Sequence, residues 1–461
     1  MVEFAIFIRP CYLFLMNPHS RSSELSRRRF LIGATTSTLA FPFISTGRVL
    51  GANSRLNIAA IGAGGKGGVD IGYCKGENVV ALCDVDQQNA AGSFKAFPQA
   101  KQFKDFRILF EKEAKNLDAV TISTPDHTHF HAAVEALRHK KHVYLQKPLT
   151  HTVWEARELT RLARSKGVVT QMGNQGHSEV GSRRLVELIQ AGVLGEVKEV
   201  HIWTNRPIWP QGMSRPKQSL VPAHLDWDLW LGPAPYRNFH EGCVPFNWRA
   251  YWDFGTGALG DMGCHNMDLA FFSLGLKDPT WVDATSSGLN PETAPAWSII
   301  TYQFPKVGAR AAVKLTWYDG GKKPDASLVR AKELPENGYI FVGTKDTLFV
   351  PSYWGKGSLL SGARMEDFKS IPEKLPRFVG ADKDNDAAQH LEWIQACKGD
   401  GKALANFDYA GPMTESVLLG NVALRAGRRI EWDARNLRIT NAPEANVFLR
   451  TDYRRGWEIA L

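Results

Sequence analysis

From residue 56 onward, short apolar runs alternate with stretches of helical period. The first, "LNIAAI", ends at Ile61 and enters a glycine-rich turn, and a second, Val79 to Cys83, ends in Asp84. Three more runs read as buried strands: "DAVTIST" from Asp118, "HVYLQ" from His142 and "GVVTQM" from Gly167. Helical patterns over Thr128 to His139 and Trp154 to Ser165 separate them. Apolar strands joined by helices predict a doubly wound parallel sheet over residues 55–175, because both faces of such strands must be covered. Ligands of these sheets lie beyond the carboxyl ends of the strands, so Thr124 to His129, Gln146 to Pro148 and Gly173 to His177 mark the expected site.

Beyond residue 175 the period changes to two. "VKEVHIWTNRP", "WSIITYQF" and "AAVKLTWY" alternate as strands of an open, mostly antiparallel sheet do, with a helix around Asp261 inserted between them. "FDYAGPMTESVLLGNVALRAGRRIEWD" reads as a closing helix and strand. The predicted fold class is α/β: a leader over 1–50, a Rossmann domain over 55–175, and an α+β domain over 176–461 with an open sheet that covers the site and offers a face for a homo-oligomer. Nine of the fourteen tryptophans fall between residues 200 and 320, so stacking faces for a sugar are sought there, at Trp203, Trp209 and Trp252. The alternative is that sheets and turns bury these rings.

Composition is that of a chain with two substantial cores, at 461 residues, 44% hydrophobic and 22% charged. A net charge of +9 suggests a nucleic-acid partner until it is located. Six arginines and two glutamates lie in the first 50 residues, which leaves +5, spread along the rest, so nucleic acid is not implied. The six cysteines, at 11, 74, 83, 243, 264 and 397, have neither C-x-x-C spacing nor a small-domain framework and read as buried thiols. "SRRRFLIGATTSTLAF", from Ser26 to Phe41, resembles the twin-arginine signal that sends folded proteins across the bacterial inner membrane. That resemblance implies a periplasmic protein that meets the Tat export machinery and the membrane only in transit. The alternative, a membrane anchor, must use Leu31 to Ile44, which is too short and carries Gly33 and Pro42. Cleavage falls anywhere from Ala40 to Ala52, and Met16 is an alternative start.

Gly62, Gly64 and Gly67 fit G-x-G-x-x-G between a strand and a helix. Glycines there let the backbone turn tightly, approach a pyrophosphate and present helix N–H groups to it. Asp84, at the end of the second strand, is placed to accept from both ribose hydroxyls and to repel a 2′-phosphate, which favours NAD over NADP. An incidental surface turn is the alternative.

"STPDHTHFHAAVEALRHKKHVYLQKPLTHT" resembles the glucose-fructose oxidoreductase, inositol dehydrogenase and rhizopine-catabolism (Gfo/Idh/MocA) family of NAD(P)-dependent sugar oxidoreductases, and the resemblance extends over nearly the whole chain beyond the leader. The family's Glu-Lys-Pro signature stands here as Gln146-Lys147-Pro148, a departure that alters the charge beside the lysine. The resemblance implies that Lys147 hydrogen-bonds the reacting hydroxyl, that His265 is the general base, and that Asp261, four residues before it, orients substrate or histidine. Alternatives are a helix cap for Asp261 and a core histidine for His265. It also places Thr124, Pro125, Asp126, His129, Gln146 and Lys147 at the NAD; that the NAD is tightly bound is expected from the export signal, since no nicotinamide pool in the periplasm would reoxidise it. Asn174, Gln175 and His177, after the sixth strand, are candidate polyol contacts, with Trp203 and Trp252. His127 and His131 have a metal-like spacing, but no carboxylate or thiol completes a set, so no metal is expected. The reading is an oxidoreductase acting on a CH–OH group of a sugar, polyol or glycoside with redox-neutral turnover. Alternatives are an NAD-dependent glycosidase or lyase working by transient oxidation, and a noncatalytic exported carbohydrate-binding protein, which would not need Lys147, Asp261 and His265 together.

Overall fold

A computed structural model describes residues 55–378, 380 and 383–460; the twin-arginine stretch lies outside the described residues. The first sheet contains β1 (Asn57–Ile61), β2 (Asn78–Cys83), β3 (Lys101–Phe103), β4 (Ala119–Ile122), β5 (His142–Gln146) and β6 (Thr170–Gly173). They are parallel, in the order β3-β2-β1-β4-β5-β6. Helices α1 (Lys66–Tyr73), α2 (Ala91–Ala96), α3 (Phe106–Glu113), α4 (Asp126–Arg138) and α5 (Val153–Lys166) link the strands. β4 and β6 are buried throughout, as strands covered on both faces must be. β3, α2 and α3 lie outside the sequence expectation: β3 has three residues, none of them buried, and such a run carries no period. Helix α5 starts on a Thr152/Glu155 capping box and ends at Gly167 in the left-handed region.

The second sheet has nine strands: β7 (Val197–Trp203), β8 (Trp281–Ser286), β9 (Ser298–Phe304), β10 (Val313–Tyr318), β11 (Gly338–Gly343), β12 (Thr347–Val350), β13 (Ser358–Leu359), β14 (Ile430–Asp433) and β15 (Arg438–Ile439). Their order is β13-β12-β11-β7-β10-β9-β8-β14-β15, antiparallel except for the β7–β10 pair. Helices α6 (Val180–Gln190), α7 (Trp227–Leu231), α8 (Gly257–Asn266) and α9 (Asp268–Leu274) precede most of these strands, and α10 (Asn385–Cys397) and α11 (Phe407–Ala426) follow β13. Helix α11 packs on α5 on one side and on α8 and β8 on the other, so it joins the layers of both sheets. Trp393 and Ile394 of α10 enter the core of the first sheet beside Tyr144, so a helix that follows the second sheet's β13 packs on the first sheet. The five described cysteines are free; burial pushes each thiol up and keeps it unreactive. No helix among the described residues is long and apolar enough to cross a membrane.

Candidate active site

The glycine turn leaves β1 at Gly62, whose φ is 80° and where a Cβ would sit 2.6 Å from the Ser123 carbonyl oxygen. At Gly67 a Cβ would lie 2.0 Å from the Gly62 oxygen, so the turn itself requires both glycines. Helix α1 begins just after, bringing the positive end of its dipole to the loop. Asp84 Oδ2 accepts from the N–H groups of Ala63 (2.8 Å) and Gly64 (2.9 Å), and Oδ1 accepts from that of Asp86 (2.8 Å). Burial raises its carboxyl, and these three donors oppose the rise. The carboxylate thus braces the glycine turn through Oδ2, while Oδ1 retains acceptor capacity for a ribose hydroxyl.

A segment from far along the chain runs beside this carboxylate. Leu225 pairs antiparallel with Asp86, the Gln87 N–H donates to the His224 carbonyl (3.0 Å), and the Asp226 N–H donates to that of Val85 (2.9 Å). His224 Nδ1 lies 2.9 Å from Asp86 Oδ1. Residues 224–226 therefore form a strap next to the expected adenosine site. His127 braces the same region, its ring nitrogens 3.2 Å and 3.0 Å from the carbonyls of Phe254 and Trp230.

Between the strand ends, His129 joins two loops: Nδ1 is 2.8 Å from the Pro148 carbonyl and Nε2 is 2.8 Å from that of Thr124. Burial lowers this imidazole to about 4, so the neutral ring donates to only one of them. The Thr124 hydroxyl is buried without a partner, an orphan of the kind a cofactor amide would satisfy. Pro125 sets the start of α4, and Asp126 in its first turn accepts from the Thr256 hydroxyl at 2.7 Å; burial raises its carboxyl to about 6. The Gln146 amide donates to Asp70 Oδ2 at 2.9 Å, and Gly173 makes room for it, since a Cβ there would meet the amide nitrogen at 2.6 Å. The carboxylate absent from the Gln-Lys-Pro motif is thus supplied by α1. Asp70, Asp386 and His390 have the spacing of a metal site, but the Lys66 ammonium holds both carboxylates, at 2.8 Å and 2.5 Å.

Lys147 leaves β5 and reaches α8, where its ammonium donates to both the carbonyl and Oδ1 of Asp261, each at 2.8 Å. Arg249 Nε donates to the same Oδ1 at 2.9 Å, and its guanidinium lies 4.3 Å from the Trp248 ring centre. Burial acts to raise the Asp261 carboxyl, but Lys147 and Arg249 overcome it and hold it well below the usual carboxylate range. His265 lies one turn further along α8. Burial, helped by the Lys147 charge, pushes its imidazole down to about 3, so the ring is neutral at pH 7. Its Nδ1 is buried without a partner, and its ring meets Trp354 edge on at 6.2 Å between centres.

His265 borders a small cavity of about 10 Å³, near the size of one water, which Gly176, His177, Asp268, Tyr353 and Trp354 also line. Here two expectations are corrected. Trp203 is fully buried, donates its indole N–H to the Pro335 carbonyl at 2.9 Å and stacks on Phe349, so it belongs to the sheet core. Trp252 donates to the Asn290 carbonyl at 3.0 Å under the Arg425 guanidinium, and the structure does not bring it to the cavity. Trp209, also buried, donates to Gln211 at 2.7 Å. Asn174 stands behind the cavity, donating to Asp268 at 2.8 Å, and Gln175 does not line it; His177 does. Sequence reasoning missed Asp268, Trp354, Tyr353 and Arg249. Asp268 carried a signal, standing three residues after His265, whereas the aromatic pair lies in a loop with no period.

The match to known proteins follows this division of the chain. Residues 56–174 match the model of the oxidoreductase family's NAD-binding Rossmann fold, and residues 178–324 match that of its C-terminal alpha/beta domain. The scyllo-inositol 2-dehydrogenase (NAD(+)) of Bacillus subtilis is 24% identical over 63% of this chain and 70% of its own. The 2,7-anhydro-N-acetylneuraminate hydratase of Escherichia coli is 28% identical over 28% of this chain and 33% of its own. The first curated relatives are matched over 34% to 52% of their length. In fold, the aldose-aldose oxidoreductase of Caulobacter crescentus superposes with a TM-score of 0.57 at 17% identity, covering 82% of this chain and all of its own. With both of its domain models matched in order and a glycine turn, strand-end lysine and Asp/His helix in place, the chain belongs to the Gfo/Idh/MocA oxidoreductase family.

Proposed function

We propose that the protein oxidises a CH–OH group of a sugar, polyol or glycoside, using NAD that stays bound through a redox-neutral cycle. The observation that carries this reading is the Lys147 ammonium, fixed by Asp261 at the end of β5, with the neutral His265 one helical turn away. NAD, when bound, supplies the hydride acceptor. His265 takes the hydroxyl proton, Lys147 donates a hydrogen bond to the oxygen that loses it, and Asp261 keeps the lysine from swinging away. Asp84 selects the unphosphorylated ribose, and the 224–226 strap slows release of the cofactor. Retention suits a protein sent out folded by the arginines at 27–29: it loads in the cytoplasm and works in the periplasm, where no free nicotinamide pool reoxidises it. The open face of the nine-stranded sheet is the surface for a homo-oligomer.

A second reading, elimination or hydration at the oxidised sugar, is favoured by the second histidine at the cavity and fits the hydratase among the relatives. Lys147→Ala and His265→Ala, mixed with a panel of methyl glycosides and inositols in single turnover, should slow reduction of bound NAD by about a hundredfold or more. Protein as purified should release close to one nicotinamide dinucleotide per chain. An unchanged rate in His265→Ala removes it as the base, and empty protein removes the retained cofactor.

A further inference from the structure

We propose that Arg249 reads a second substrate hydroxyl, on the carbon next to the one that is oxidised, so that the site takes vicinal diols. Arg249 Nε donates to Asp261 Oδ1 at 2.9 Å, and the Lys147 ammonium donates to the same oxygen at 2.8 Å. A guanidinium that uses Nε in this way commonly closes a fork, with Nη2 donating to the other carboxylate oxygen. Arg157 closes it on Glu415, and Arg107 closes it on Asp105. At Arg249 the fork is open. Nη1 donates to the Phe246 carbonyl at 3.0 Å, and neither Arg249 Nη2 nor Asp261 Oδ2 has a hydrogen-bond partner among the described residues. Both side chains keep part of their surface open, 20% for Arg249 and 13% for Asp261. Three rings hold the guanidinium, its carbon 4.3 Å from the centre of Trp248, 4.6 Å from that of Phe246 and 6.0 Å from that of Trp209.

An open fork sets one donor beside one acceptor, which is the complement of a hydroxyl: its oxygen accepts from Nη2, and its O–H donates to Oδ2. An anionic substituent meets Oδ2 with like charge, and a carbon without oxygen leaves both atoms unpaired. The place of this hydroxyl follows from the shared oxygen. Lys147 spends two of its three N–H groups on Asp261, at the carbonyl and at Oδ1, and keeps the third for the reacting oxygen. Because Lys147 and Arg249 meet at one carboxylate oxygen, the two substrate oxygens they hold stand on neighbouring carbons. Arg249 moves no proton and no hydride; it binds, and through Oδ1 it steadies the carboxylate on which Lys147 rests.

This assignment rests on the proposed oxidation, so binding and oxidation are measured apart. Protein loaded with NADH, on which alcohols bind without being oxidised, is titrated in a calorimeter with methyl glucosides and galactosides and with each of their monodeoxy counterparts. In wild type, loss of one particular hydroxyl should weaken binding by about tenfold or more. Arg249→Met, which keeps the stem and has no donor, should weaken the parent by a similar factor and respond less than about twofold to loss of that same hydroxyl. Loss of the other hydroxyls should weigh on it as on wild type. A residue that only holds Asp261 in place lowers every ligand alike, so effects of variant and deoxygenation that multiply at every position overturn the proposal. Should Arg249→Met fail to fold, Arg249→Lys, which keeps the charge but has no second nitrogen, must show the same coupling, and its absence overturns the proposal. Coupling without any reduction of bound NAD by the parent sugars would sink the oxidoreductase reading and leave this one standing; oxidation without coupling does the reverse.

Discussion

At Gln146 the chain departs from its family's signature, and the neighbouring side chain explains why. Its amide donates to Asp70, which is fully buried on α1. A glutamate there would set two carboxylates against each other beside Lys147. Gln146→Glu, which restores the family residue, should therefore destabilise the fold by about 3 kcal/mol at pH 7, as breaking a buried polar pair does. The loss should shrink at pH 5, where one carboxyl of the pair can hold a proton, and Asp70→Asn in the same chain should recover most of it. Urea unfolding of the three variants decides; a Gln146→Glu protein as stable as wild type would mean that Asp70 does not govern this position. The sequence marked Gln146 as a departure but could not show its partner, because Asp70 lies 76 residues away on another element. The same distance problem hid Arg249, whereas Lys147, Asp261 and His265 were readable because each stands in a local motif.

Elements whose period is long and whose ends are capped were readable to within a few residues, as α5 and β5 show. The strap was not, since it is irregular backbone whose meaning comes from its pairing with residues 85–87. His224 carries the side-chain part of that pairing and is partly exposed, so its contribution is set near 1 kcal/mol. His224→Ala should release NAD roughly fivefold faster while leaving the melting temperature of NAD-free protein within a few degrees of wild type. Dilution of loaded protein into excess alcohol dehydrogenase and ethanol, which reduces each NAD released, measures the rate. Release at the wild-type rate would confine the role of residues 224–226 to packing.

Among the described residues, the histidines that burial lowers outnumber the acids that it raises. Burial lowers His127 and His265 to about 3 and His129, His131 and His151 to about 4, whereas it raises Asp126 and Asp319 to about 6 and Glu155 to about 7. Each histidine takes a proton at about 6.5 once unfolded, so its contribution is present above that pH and is lost as pH falls toward 3 to 4. The three acids work in the opposite sense, binding protons in the folded state first between about 7 and 4. With the smaller shifts included, nine lowered histidines against five raised acids leave the unfolded chain binding more protons at pH 5. Stability should therefore fall steadily from pH 7 to pH 5, read as a lower urea midpoint at constant slope. A midpoint unchanged or higher at pH 5 would show that these rings are protonated in the folded protein. The histidines were visible in the sequence as a cluster suggestive of metal; that they are buried and neutral depends on α7, the C-terminal segment and the loops that cover α4.

Asp86 and His224 are 138 residues apart. At about 5–20 residues per second of synthesis, the strap emerges on the order of 10 s after the strand end it covers. If the strap holds the cofactor as proposed, a dinucleotide entering in that interval meets an uncovered site, and occupancy would then record the dinucleotide concentration where the chain was made.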